Sequence, residues 1–132
     1  MKDNILLVAA GAVVLINGCI GHYFPPNGIT LTPLILAVIS IIIVFGSKLN
    51  LILKSTAIIV GIILNDYLIR NYSGGIHDSE GFAWSTLYLF YGLVLSYIIL
   101  IVGVLNNKDT LSNKLISIFV FPVAAIFYIF IR

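Results

Sequence analysis

The stretch Asn71-Tyr72-Ser73-Gly74-Gly75-Ile76-His77-Asp78-Ser79-Glu80-Gly81 sets a histidine and two carboxylates within four positions, between segments that are almost purely apolar. Histidine titrates near neutral pH, so His77 beside Asp78 and Glu80 has the make-up of a proton-responsive site. His22 ends an earlier apolar segment. If it converges with His77, Asp78 and Glu80, the four side chains offer the nitrogen and oxygen donors that zinc or another divalent metal takes. No HxxxH or HExxH spacing supports that set, and no further cofactor is implied. Ser73, His77 and Asp78 include the residue types of a nucleophilic triad, without a GxSxG elbow or another hydrolase signature. The same acids have a plainer use, because Asp78 or Ser79 can cap a following helix and Glu80 suits its positive first turn.

Asp66 carries the sharpest question. It follows the apolar run Ala57 to Leu64 and lies twelve residues beyond Lys54, about 18 Å along a helix. With Lys54 snorkelling to one membrane surface, Asp66 sits in the opposite half of the bilayer, where a carboxylate is costly unless paired, hydrated or protonated. Arg70 stands four residues on, in the favourable acid-before-base order for a helical ion pair. Asn65 adds a donor and an acceptor. Asp66, Arg70, His77, Asp78, Glu80, Asn65 and His22 are therefore the candidate ligand- or proton-binding residues, with no catalytic residue assigned.

These residues need elements to hold them. The chain of 132 residues is 61% hydrophobic and 9% charged, with a mean hydropathy of +1.15, whereas soluble domains are about 25% charged. Lipid must be its solvent. A net charge of +2, without a Lys/Arg run, points away from nucleic acid. Cys19 is the only cysteine, which excludes an intramolecular disulfide and a CxxC pattern. MKDN, an apolar run and INGC resemble a bacterial lipoprotein signal. Asn17 fits that pattern badly, and the segment reads as a transmembrane helix.

Five segments approach the roughly 20 apolar residues that a bilayer crossing needs: Asn4 to Gly21, Ile29 to Gly46, Leu51 to Ile69, Phe82 to Leu105 and Lys114 to Ile131. The expectation is an all-α integral membrane protein, one transmembrane helical domain over residues 1–132, with short loops. Its fifth segment, interrupted by Pro122, has a re-entrant alternative. The positive-inside rule puts the N-terminus in the cytoplasm, with Lys2, Lys48, Lys54, Lys108 and Lys114 inside and Arg70 and Arg132 outside. Gly11 and Gly18, and Gly92 with Ser96, read as helix-packing positions. Trp84, Tyr88, Tyr91 and Leu95 follow one helical face, as an aromatic wall or as interfacial and packing residues.

The functional expectation is a transport or solute- and ion-binding component of a bacterial cytoplasmic (inner) membrane, with its polar site on the extracytoplasmic face. So short a chain is expected to form a homo-oligomer or join a larger membrane complex. The alternatives are a non-catalytic accessory subunit docking a partner through residues 70–81, and a lipid-modifying membrane enzyme; an enzymatic role ranks below a non-enzymatic one.

Overall fold

The computed structural model describes residues 2–73 and 78–132, and these form five long helices. They are α1 (Lys2–Tyr23), α2 (Pro25–Ile41), α3 (Leu51–Tyr72), α4 (Ser79–Leu105) and α5 (Leu111–Ile131). A π-helical turn, Ile42–Gly46, continues α2. Each of the five helical segments is long and apolar enough to cross a membrane. The helix of the fifth segment runs unbroken through Pro122 over 21 residues, three residues longer at its start than the sequence reading placed it.

Local chemistry sets the boundaries. Pro25 opens α2 at a position where the missing N–H costs nothing. Asn50, Asp78 and Thr110 cap α3, α4 and α5, each accepting a backbone N–H three residues on with its side-chain oxygen. The end of the π turn exposes carbonyls that a helix terminus cannot satisfy internally. Ser47 Oγ donates to the Ile43 carbonyl at 2.6 Å, and Lys54 Nζ donates to the Val44 carbonyl at 2.6 Å. Lys54 does not snorkel outward, as its sequence position had suggested. It is 6% exposed and turns into the bundle to finish a neighbouring helix.

The helices meet through close approach and interhelical hydrogen bonds, the devices that pack helices apolar enough for a membrane. Each major interface has such a device. Between α2 and α4, Leu36 seats on Gly92, and Ser96 Oγ donates to the Leu36 carbonyl at 3.3 Å. Between α3 and α5, Ser55 Oγ donates to the Ser117 carbonyl and Ser117 Oγ to the Leu51 carbonyl. Between α1 and α3, Asn17 Nδ2 donates to Asn65 Oδ1 at 2.9 Å with both residues fully buried. At the start of α2 the backbone of Gly28 lies against that of Gly21 so closely that a β-carbon on Gly28 would collide with the Gly21 Cα. Gly18 packs on Leu68, whereas Gly11 meets nothing within 4 Å of where a β-carbon would stand.

The connections leave the bundle with two polar ends. The proximal end holds the start of α1, where Asp3 accepts the Lys48 N–H at 2.7 Å, together with Lys54 and the α4–α5 turn. The distal end gathers the ends of α1, α3 and α5 and the starts of α2 and α4. Every described candidate from the sequence lies in its distal half.

Candidate functional site

Asp66 comes from the last two turns of α3, on the face that also buries Ile58, Ile62, Asn65 and Ile69. Helical spacing from these residues turns its carboxylate inward, and it is 3% exposed. The partner it finds there is not Arg70. Arg132 Nε lies 2.8 Å from Asp66 Oδ2 and Nη2 lies 3.0 Å from Oδ1, a fork-to-fork ion pair between α3 and the residue following α5. Tyr128, one turn before Arg132, donates its hydroxyl to Asp66 Oδ2 at 2.6 Å.

The guanidinium is held on its other side by α4. Nη2 donates to Ser85 Oγ at 3.1 Å, Nη1 donates to Thr86 Oγ1, and the carbon centre lies 5.0 Å from the Phe82 ring centroid. Three helices thus meet around one compensated charge pair. Bidentate geometry explains why it prevails over the helical alternative: two parallel charge-assisted bonds exceed the few tenths of a kcal/mol typical of an i, i+4 pair. Arg70 is half-buried, one helical turn beyond Asp66 on α3. Among the described residues it forms no ion pair.

Asn65, the neighbour of Asp66, faces α1 and is engaged by Asn17. The remaining acceptor of Asn17 and donor of Asn65 are buried without a partner among the described residues. His22 is exposed at the end of α1, where Nδ1 donates to the Tyr72 carbonyl at 3.2 Å. It lines a recess between α1 and α3 with Cys19, Leu68 and Tyr72.

Asp78 and Glu80 occupy a different place. They line an open recess of about 390 Å³ between the starts of α2 and α4, with Thr30 on one wall and Trp84 and Tyr88 on another. The two rings are 6.1 Å apart and tilted by 31°. Asp78 Oδ1 caps α4 through the Gly81 N–H at 2.6 Å, and Glu80 falls in the first turn, as the capping reading expects. Neither carboxylate forms an ion pair among the described residues. His77 lies outside the described residues, and with it the metal set His22, His77, Asp78 and Glu80. Among the described residues no three His, Cys, Asp or Glu side chains converge on one point.

The sequence reading missed Arg132, Tyr128, Ser85, Thr86 and Thr30. One signal was available: an odd number of spans returns the end of the fifth segment to the end of the bundle that holds Asp66. Tyr128 and Arg132, four residues apart, share the face that meets it.

The fold and these sites define an all-helical bundle with five segments able to span a membrane, a buried ion pair joining three helices, and an acidic, aromatic-walled recess at the same end. No known protein family matches the chain, nor does any curated protein or solved structure.

Proposed function

We propose that the protein is a small solute-binding component of a membrane transport system, oriented with α1 entering from the cytoplasm of a bacterial inner membrane, and that it takes a cationic solute at its extracytoplasmic end. The observation that carries this reading is the recess between α2 and α4. Its volume of about 390 Å³ lies within the range of small-molecule sites. Asp78 and Glu80, without an ion pair among the described residues, supply negative charge at its rim, while the rings of Trp84 and Tyr88 that line it can attract a cation through the ring quadrupole. Thr30 adds a hydroxyl for orientation.

Asp66, the sequence's first choice for an ion ligand, serves this function indirectly. Its charge is consumed by Arg132, and it fixes α3, α4 and α5 at the level where α4 presents its first turns. The recess stands beside that clamp, on the opposite side of α4 from Phe82.

Trp84 is the only tryptophan, so it reports directly on its own recess. Titrating the detergent-purified protein with tetraethylammonium should change Trp84 fluorescence saturably, and Glu80→Gln should weaken the apparent affinity by about threefold, the loss of one exposed charge contact of roughly 0.6 kcal/mol. An uncharged alkyl analogue of the same size should bind far more weakly. Equal responses to the cation and its neutral analogue, or none to either, would rule the recess out as a cation site.

A further inference from the structure

The recess at the starts of α2 and α4 has a direction. Glu80, Trp84 and Tyr88 follow one another at four-residue steps, so the three share one face of α4. The centroids of the two rings lie 6.1 Å apart, close to the rise of one helical turn. Along the recess that face presents a carboxylate, an indole and a phenol in order, over about 12 Å of helix. Exposure falls in the same order: Glu80 is exposed, Trp84 is 48% exposed and Tyr88 is half-buried. The opposite wall matches. Pro26 at the start of α2 is exposed, whereas Ile29, one turn in, is buried in a small apolar cluster with Ile69 and Tyr88.

Asp78 and Glu80 are the only charged side chains among the residues that line this recess. The positive ends of two helices, about half a charge each, offset one carboxylate and leave the rim at about −1. A bare metal ion such as calcium asks for roughly six oxygen ligands or more. The rim does not offer them: Asp78 Oδ1 already accepts the Gly81 N–H, and no third His, Cys, Asp or Glu among the described residues joins the pair. Below the rim the lining is apolar and aromatic apart from Thr30, whose hydroxyl donates to the Asn27 carbonyl at 3.2 Å. The recess thus offers a place for a cationic head and a place for an apolar body, in a fixed order.

We infer that the solute is an amphiphilic organic cation, an ammonium group carrying an alkyl tail, which lodges its head at Asp78 and Glu80 and its tail against Trp84, Tyr88 and Ile29. This rests on the cation reading of the recess and narrows it. Both α2 and α4 run from the distal end toward the middle of the bundle, so the apolar end of the recess is the deeper one. An amphiphile in the distal leaflet has the same orientation, head at the surface and tail inward, and enters the open recess sideways from the bilayer without turning over. A compact cation of equal charge would leave the lower ring without a contact.

The test follows Trp84 fluorescence of the full chain in detergent, at constant ionic strength, as tetramethylammonium and the ethyl-, propyl-, butyl- and pentyltrimethylammonium ions are titrated in. Affinity should rise by about threefold per added methylene, somewhat below the roughly fourfold of complete burial, because the recess is open. 1-Alkanols of matching chain length control for transfer into the micelle, and should give no saturable change. Glu80→Gln should weaken every ion by the same factor and leave the rise per methylene intact. Tyr88→Ser should flatten the rise; should that variant fail to fold, the wild-type series decides alone. Equal affinity along the series, with a saturable response to tetramethylammonium, overturns this inference and leaves the cation reading standing. An equal rise with the alkanols overturns it too, by marking transfer into detergent. No response to any of the ions removes the cation reading, and this inference with it.

Discussion

Removing Arg132 by substitution to glutamine tests whether the distal clamp is a coupled unit. Asp66 is 3% exposed and the Arg132 side chain 4% exposed, so neither charge is relieved by water when its partner goes. Breaking a buried pair from one side costs about 3 to 5 kcal/mol, because the survivor is left uncompensated. In Arg132→Gln the Tyr128 hydroxyl still donates to Asp66; the lower part of that range, about 3 kcal/mol, is therefore expected. Asp66→Asn should cost a comparable amount by stranding the guanidinium. In the double variant both charges are gone, and the site retains amide groups that can bond to Tyr128, Ser85 and Thr86. Its loss should be well below the sum of the single losses, with a coupling energy of about 2 kcal/mol or more. The assay is reversible unfolding of the purified protein in mixed micelles of rising SDS content, followed by Trp84 fluorescence. Additive losses within about 0.5 kcal/mol, or a cost below 1 kcal/mol for Arg132→Gln, would refute the reasoning. Either result would mean that the two side chains act independently.

Two further predictions concern the backbone and the loop. Gly28→Ala should destabilise the bundle by about 2 kcal/mol or more, because the new β-carbon meets the Gly21 backbone, which cannot rotate away. Gly11→Ala, with nothing within 4 Å, should be neutral or stabilising by up to about 1 kcal/mol through helix propensity; thermal unfolding of the two variants side by side checks both. Asp109 accepts hydrogen bonds from Asn113 Nδ2 at 3.0 Å and the Thr110 N–H at 2.8 Å, and these hold its carboxyl below the ordinary value of 3.8. A depressed carboxyl supports the fold above its unfolded pKa and loses that support as pH falls through the folded one. Amide exchange at the first turn of α5 should therefore accelerate as pH drops below about 4, relative to the intrinsic rate. In Asp109→Asn that acid-side step should be absent.

The five helices were legible because runs of about 20 apolar residues punctuated by Pro-Pro-Asn-Gly, Ser-Lys-Leu-Asn and Asn-Asn-Lys-Asp leave little choice of element. The facing of each helix was not. A soluble helix declares its buried side by the contrast between apolar and polar faces, but a helix apolar all round carries no such contrast. Gly11 was accordingly read as a packing residue and stands open, while Gly28, outside the apolar runs that the reading weighed, makes the tightest backbone contact with Gly21.

The polar residues mark the buried face that the apolar ones conceal. Lys54, Ile58, Ile62, Asn65, Asp66 and Ile69 all lie on the buried side of α3, at the three- and four-residue steps that align a helix face. A lysine, an asparagine and an aspartate on one stripe are too costly to face lipid. Their alignment alone assigns that side of α3 to the bundle interior. Partners must then come from other helices: Val44 for Lys54, Asn17 for Asn65, and Arg132 with Tyr128 for Asp66. Pairing Asp66 with Arg70 followed a local spacing rule suited to exposed helices. On an inward face the bidentate guanidinium that arrives with α5 offers more bonds in a setting where each is stronger. That choice leaves Arg70 without an ion pair among the described residues.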